Sequence, residues 1–355
     1  MSWYEQLADI GKIKEAMQDE ESLIIFNARL GFMCTRDKEA YYQEIDTLSK
    51  DWKCSELLDK LNGQDKKIIV YGYNQFARDQ KRVLELSGFT LSYWCDKDEN
   101  LVGQYKDDIL VISIAELVEK YSDALVIIST KRCAEELCRD LIEKNFPADN
   151  IYCPKYGTLV ASQGSQYFDI FSPQDEEIFV DAGAYDGKTM LDYLEWAGEK
   201  HKKIYVMEPL KEMYDEIQKK VEQKGLKNVS VQNYAAWNRR EQLSFKLADA
   251  GSKVCDDDTD VIWIDAIDID SMVGDNPVTF IKMDIEGSEL KALEGAKNTI
   301  INNAPKLAIC IYHKPADIVS LGSYILKLNP NYKFYIRHYA SNMWETVLYA
   351  VSEHK

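Results

Sequence analysis

The feature that most constrains the fold is an alternation of short β-rich runs with helical segments, which occurs twice along the 355-residue chain. The first series starts at Lys66 with "KKIIVYG", and the second starts at Glu177 with "EIFVDAG". Strands that alternate with helices are typical of parallel sheets covered by helices on both faces. The sequence therefore predicts an α/β protein with two Rossmann-like domains in tandem.

Four segments follow from this alternation. Residues 1–64 are apolar at helical spacing and predict a helical N-terminal segment. Residues 65–155 predict a small Rossmann-like domain with five strands, and residues 156–176 predict a linker and lead-in that starts with the polar stretch "YGTLVASQGSQ". Residues 177–355 predict five parallel strands and a terminal antiparallel hairpin, which together make a seven-stranded sheet.

Composition excludes several classes of partner. With 43 Lys and Arg against 60 Asp and Glu, the net charge of −17 argues against nucleic acid and anionic membranes. The start "MSWYEQLADIGKIKEAM" lacks the basic and apolar regions of a signal peptide, and the 8 cysteines are scattered. We therefore expect a soluble, cytoplasmic protein without a disulfide framework.

The glycine loop "FVDAGAYDGKT" carries acid where a phosphate-binding loop would not. Gly183 and Gly187 let the backbone turn tightly and approach a ligand. Asp181 and Asp186 would lie near the phosphates of a dinucleotide, although Asp186 could instead cap the following helix. S-adenosylmethionine (SAM) removes this conflict because it carries a sulfonium and an ammonium and no phosphate. SAM is therefore the predicted cofactor.

The next two strands end in residues that suit the rest of SAM. Glu208, in "IYVMEP", can accept hydrogen bonds from both ribose hydroxyls, and "NYAAWN" supplies Asn233 and Ala235 where adenine could lie. The predicted donor-binding residues are Asp181, Gly183, Ala184, Gly187, Glu208, Pro209, Asn233, Ala235 and Asp284.

A third strand end carries the candidate chemistry. In "FIKMDIEGSELKALEGA", Asp284 and Glu286 leave a buried strand beside the donor pocket, where a methyl acceptor would sit. His313 ends the following strand, just before Pro315. An alcohol acceptor must lose a proton, so the predicted catalytic residues are Asp284, Glu286 and His313. Glu289 is predicted to complement the helix dipole instead.

Other interpretations of these residues stay open. His313 could simply bond a neighbouring carboxylate or carbonyl. No metal ligand is assigned, and the alternative is a divalent ion held by Asp284, Glu286 and His313 that polarises the acceptor. Arg337 and His338 on the terminal hairpin could contact an anionic or sugar substrate, and the acidic run "DDDTD" at 256–260 is predicted to be a solvated loop.

Several motifs together resemble the FkbM family of methyltransferases. They are "VDAGAYDGKT", "MEP", "KMDIEGSE", "LEGA", "IYHKP", "LNPNYKFYIRHY" and "ETVLYA", and they cover about Ile178 to Val351. The resemblance implies a class I SAM-dependent enzyme that methylates hydroxyl groups on sugars or polyketide-type metabolites. It implies donor binding through Asp181, Gly183, Gly187 and Glu208. The expected partner is a small-molecule or carbohydrate acceptor, and a homodimer is left open.

The first domain has an incomplete dinucleotide fingerprint. In "VYGYNQFARD" Gly72 is followed by Asn74 and Ala77 at the other two glycine positions, and Asp96 ends the next strand. The domain resembles small Rossmann-like modules attached to sugar-modifying enzymes, which implies nucleotide or nucleotide-sugar binding as an alternative to a scaffold role. Two other functions therefore stay open: a nucleotide-sugar or NAD-dependent enzyme, and a non-catalytic SAM-binding module.

Overall fold

A computed structural model describes residues 3–48, 57, 60, 61, 63, 65–129, 134–153, 166–246, 253, 254 and 261–352. The chain forms two compact units. One unit comprises residues 1–48, 164–338 and 344–355, and the other comprises residues 49–163 and 339–343. Residues 156–165 of the predicted linker and the acidic run 256–260 lie outside the described residues.

The smaller unit contains a six-stranded sheet in the order β3-β4-β2-β1-β5-β6. Its strands are β1 Ile68–Tyr71, β2 Tyr93–Asp96, β3 Tyr105–Lys106, β4 Ile109–Ser113, β5 Leu125–Ile128 and β6 Ile151–Tyr152. Its described helices of more than one turn are α4 Gln75–Leu86, α5 Ile114–Lys120 and α6 Ala134–Glu143. Five strands are parallel, as predicted, and the unpredicted β3 adds an antiparallel edge.

The larger unit contains the predicted seven-stranded sheet, in the order β16-β17-β15-β14-β7-β8-β9. The strands are β7 Glu177–Ala182, β8 His201–Met207, β9 Val229–Gln232, β14 Phe280–Met283, β15 Lys306–Cys310, β16 Tyr332–His338 and β17 Thr346–Ser352. The first five are parallel and the last two form an antiparallel hairpin, which confirms the predicted fold class. The carboxyl ends of β7, β8 and β14 consequently lie side by side.

Six described helices of more than one turn lie between β7 and β16 in the chain. They are α7 Lys188–Ala197, α8 Lys211–Gln223, α9 Ile269–Val273, α10 Glu289–Gly295, α11 Lys297–Asn303 and α12 Asp317–Leu328. Aromatic rings fill much of the space under β7: Phe179 stacks on Tyr193 with centroids 4.3 Å apart, and Phe280 lies 5.0 Å from Phe179. Among the described helices, none has the length and apolar character needed to cross a membrane.

Three N-terminal helices belong to the larger unit, namely α1 Trp3–Ala16, α2 Glu20–Thr35 and α3 Lys38–Asp46. Asp19 caps α2 by accepting from the Ser22 N–H and also binds Arg337 on β16 at 2.7 Å. His338 is 7% exposed and bonds Thr346. Arg337 and His338 thus have polar partners within this unit, and a contact of either with a substrate stays a prediction.

A small sheet in the order β10-β13-β11-β12 was not predicted. Its strands are β10 Ala235–Trp237, β11 Glu241–Lys246, β12 Lys253–Val254 and β13 Val261–Asp268. Ala235 pairs with Ala266 in this sheet. A Cβ on Gly295 of α10 would lie 2.0 Å from the Trp237 carbonyl oxygen, so α10 packs directly on the backbone of β10.

Candidate active site

The glycine loop after β7 passes very close to the end of β14. Gly183 has φ +78°, and a Cβ there would lie 1.9 Å from the backbone oxygen of Asp284. Gly187 has φ +76° and is the N-cap residue of α7, facing Ile217. Both positions need glycine, since other residues rarely adopt these angles and Gly183 has no room for a side chain. Asp186 precedes this N-cap residue and accepts from the Lys188 N–H at the start of α7.

A buried ion pair lies beneath the loop. Asp181 on β7 is opposite Lys282 on β14, and the Lys282 Nζ is 3.1 Å from Asp181 Oδ1. Both side chains are fully buried, and Lys282 also donates to the Gly183 carbonyl at 2.6 Å. Burial raises the pKa of Asp181, and the Lys282 ammonium opposes that shift. Asp181 is therefore placed to hold the loop through Lys282.

Glu208 lies where the loop and the end of β8 meet. Its carboxylate accepts from the backbone N–H groups of Tyr185 at 2.8 Å and Leu210 at 2.9 Å. Asn233 donates to the carbonyls of Glu208 and Pro209, which fixes this turn. Burial raises the pKa of Glu208 to about 7. A carboxylate held at this strand end is suited to accept from ribose hydroxyls.

Donor affinity should therefore depend on pH through Glu208. In the unfolded chain the pKa of Glu208 is the ordinary value of 4.5. The protonated side chain therefore contributes to the free energy of unfolding below pH 4.5, and this contribution is lost as pH rises through about 7. Ribose hydroxyls donate best to the ionised form, so affinity for S-adenosylhomocysteine (SAH) should rise up to about tenfold between pH 6 and pH 8. Calorimetric titration checks this, and Glu208→Gln should bind weakly with a flat pH profile. A flat wild-type profile would contradict the assignment.

Asp284 lies at the end of β14 and is held by two phenols. Tyr167 donates to its Oδ2 at 2.9 Å and Tyr312 donates to its Oδ1 at 3.1 Å. Burial would raise the pKa of Asp284, but Lys282, His313 and the two tyrosine hydrogen bonds lower it below its ordinary value. The side chain is 25% exposed. Asp284 is thus an ionised, partly accessible carboxylate beside the glycine loop.

His313 lies among three carboxylates. Its Nδ1 is 2.9 Å from Glu289 Oε1, and its Nε2 is 3.4 Å from Asp284 Oδ1 and 3.5 Å from Glu286 Oε2. Burial would lower the pKa of His313, but the hydrogen bond to Glu289 and the three negative charges raise it to about 9. Glu286, at φ +56°, is 45% exposed and forms the outer edge of this group.

The structure brings together most of the residues predicted from the sequence. Gly183, Ala184, Gly187, Glu208, Pro209 and Asn233 lie at the carboxyl ends of β7, β8 and β9, and Asp284, Glu286 and His313 form a second group at the ends of β14 and β15. Ala235 lies in the small sheet instead. Whether these side chains bind SAM or react stays a prediction.

The sequence did not predict a role in the site for four residues that lie in it. Lys282 could have been noticed as a charge inside the apolar run "FIKMD", and Tyr312 as the neighbour of His313. Glu289 was predicted only to complement a helix dipole, yet it is 1% exposed and accepts from the Ile285 and Gly287 N–H groups. Tyr167 had no sequence signal, since it follows a polar lead-in.

In the smaller unit, the corresponding loop is already filled by its own side chains. Asp96 accepts from the Tyr73 N–H at 2.7 Å, much as Glu208 accepts from its loop. Asn74 caps α4 by accepting from the Ala77 N–H, and its amide donates to the Ser129 carbonyl. A pyrophosphate at this helix N-terminus would have to displace Asn74. This geometry gives no support to the dinucleotide alternative.

The larger unit has the features that define a class I methyltransferase. Five parallel strands and a terminal hairpin form the sheet, a glycine loop follows β7, and a buried acid follows β8. The crevice outside the carboxyl ends of β7, β8 and β14 is where such sheets bind their ligands.

Comparison with known proteins gives the family. Residues 181–336 match the model of the methyltransferase FkbM domain. The chain therefore contains a methyltransferase domain of the FkbM family, and the protein is a SAM-dependent methyltransferase.

Solved structures of several methyltransferases are similar to this chain. Methyltransferase FkbM from Methylobacillus flagellatus KT has 19% identity, with 86% of this chain and 96% of that chain covered and a TM-score of 0.47. A SAM dependent methyltransferase from Aquifex aeolicus has 20% identity over 52% of this chain and 86% of that chain, with a TM-score of 0.32. A putative methyltransferase from Streptococcus mutans in complex with SAH has 12% identity, with 51% of this chain and 91% of that chain covered and a TM-score of 0.32. A search of curated proteins found no match.

Proposed function

We propose that this enzyme transfers the SAM methyl group to a hydroxyl oxygen of a sugar, a glycan or a related metabolite. The observation that carries the proposal is the position of Asp284, a partly exposed carboxylate at the strand end next to the glycine loop. A hydroxyl acceptor needs a group that takes its proton, and a carboxylate beside the donor pocket can do so.

The reaction would proceed by in-line displacement. The acceptor oxygen forms a bond to the methyl carbon while the bond from that carbon to sulfur breaks, which leaves SAH and a methyl ether. The hydroxyl proton passes to Asp284. The sulfonium charge disappears in this step. The enzyme therefore gains most of its rate acceleration by holding the donor methyl group and the acceptor oxygen in line.

The tyrosine hydroxyls and His313 would position Asp284 rather than react. Tyr167 and Tyr312 hold the two carboxylate oxygens, and each ring nitrogen of His313 faces a carboxylate within 3.4 Å. Because neither nitrogen faces open space in this arrangement, Asp284 is the better candidate for the base. The same two phenols can orient a bound hydroxyl beside it.

Asp284→Asn should keep donor binding and lose turnover. The amide cannot take a proton, so kcat should fall about a hundredfold, the usual contribution of a general base. SAH affinity should stay within about twofold, because asparagine keeps the size of the side chain and the other predicted donor-binding residues are unchanged. Asp192→Asn, at an exposed position on α7 that pairs with Lys188, is the matched control and should behave like wild type.

The acceptor class is tested by the product. Incubation with labelled SAM and a panel of sugars and glycans should transfer label into a product that survives mild alkali, as a methyl ether does. Label that is released by alkali as methanol would indicate a carboxyl acceptor, and label on nitrogen would indicate an amine. Either result, with no ether formed, would reject the proposed function.

A further inference from the structure

The group around His313 has the composition of a cation site. One ligand atom each from Asp284, Glu289 and His313 lies within 4.8 Å of the other two. Glu286 Oε2 adds a third carboxylate 3.5 Å from the His313 Nε2. Grouped carboxylate oxygens suit divalent ions such as Mn²⁺ and Mg²⁺, and an imidazole nitrogen is a common ligand of transition-metal ions.

A second observation comes from Glu289 itself. Its side chain is 1% exposed, and its Oε1 accepts from two backbone N–H groups. Its Oε2 is buried and has no hydrogen-bond partner among the residues that the structure describes. A buried carboxylate oxygen without a partner is costly, and a bound cation would remove that cost.

The nearby lysines do not supply that cation. The Lys282 ammonium pairs with Asp181 and donates to the Gly183 carbonyl. The Lys314 ammonium donates to the Gly287 carbonyl. Both ammonium groups are therefore directed at partners other than the Glu289 Oε2.

We infer that Asp284, Glu289 and His313 bind one divalent cation, with Glu286 at the outer edge. Ion–ligand distances of about 2.1 Å require the three side chains to move closer together, and the cation binds a ring nitrogen of His313 in its unprotonated form. Asp284 binds the ion through Oδ1, which faces His313, and keeps Oδ2 for the acceptor proton. The catalytic part rests on the proposed function: the bound ion polarises the acceptor hydroxyl.

Metal binding can be measured without methyl transfer. Titration of the full chain with MnCl₂, followed by calorimetry and by the loss of the free Mn²⁺ resonance, should show one ion per chain. Glu289→Gln and His313→Gln should each weaken Mn²⁺ binding about tenfold or more, as loss of a ligand or its partner does. Glu294→Gln is the matched control, because Glu294 lies on the same helix and bonds Asn238 and Lys291 instead.

SAH affinity of each variant serves as the folding check. If Glu289→Gln no longer binds SAH, His313→Gln decides the test. Wild-type protein that binds neither Mn²⁺ nor Mg²⁺ would overturn the inference, as would unchanged Mn²⁺ affinity in the folded variants. Turnover that stays the same after EDTA treatment would overturn the catalytic part. Metal binding with no ether product would instead reject the proposed function and leave the metal site standing.

Discussion

Lys282→Met should lower the free energy of unfolding by about 3–5 kcal/mol, because it leaves Asp181 buried without its positive partner. The Asp181 carboxylate is fully buried and pairs with the Lys282 ammonium at 3.1 Å. Methionine keeps most of the side-chain volume, so the effect reports the charge rather than a cavity. Urea unfolding, read as the midpoint at constant slope, measures it.

Two further variants isolate the cause. Asp181→Asn combined with Lys282→Met removes both charges and should recover much of the loss. Lys188→Met breaks an exposed pair with Asp192 and should leave the free energy of unfolding almost unchanged. If Lys282→Met alone were as stable as wild type, the buried ion pair would not contribute to the free energy of unfolding, and the expectation would be wrong.

Gly183→Ala should abolish donor binding and destabilise the protein by about 2–5 kcal/mol. Roughly 1–2 kcal/mol comes from a left-handed backbone with a side chain, and about 1–3 kcal/mol comes from forcing the loop away from Asp284. The new Cβ would lie 1.9 Å from the Asp284 backbone oxygen, which is backbone and cannot rotate aside. SAH titration and urea unfolding measure the two effects.

Gly225→Ala separates strain from collision. Gly225 also has a positive φ, +61°, but a Cβ there would meet no atom within 4 Å. It should show only the backbone cost and normal SAH affinity. Equal effects of the two substitutions would mean that the contact between the loop and β14 does not shape the donor pocket.

The site as a whole concentrates negative charge at one edge of the sheet. Asp181 has Lys282 as its counterion, while Asp284, Glu286 and Glu289 share His313. A sulfonium donor and a divalent ion both reduce the repulsion among these acids, whereas a polyphosphate would increase it. The acidic loop is thus understandable as part of a pocket for cations.

Local sequence determined the strands, the glycine loop and the acids at the carboxyl ends of β7, β8 and β14. These features depend on residues next to one another in the chain: an apolar run of four to six residues, a turn that needs glycine, and a polar residue where the strand stops. Asp181, Glu208 and Asp284 could be placed at the same edge because parallel strands end there. The seven-stranded sheet and the tandem arrangement followed from the same alternation.

The partners of those acids were decided only by the tertiary structure. Lys282 meets Asp181, Tyr167 meets Asp284, and Glu289 meets His313, and each pair depends on strand order and register that no local pattern contains. The small sheet of β10 to β13 was missed for the same reason, since its short strands form through pairing rather than through intrinsic preference. Long-range contacts therefore set the charge state and the accessibility of each acid, and with them the chemistry that the pocket can perform.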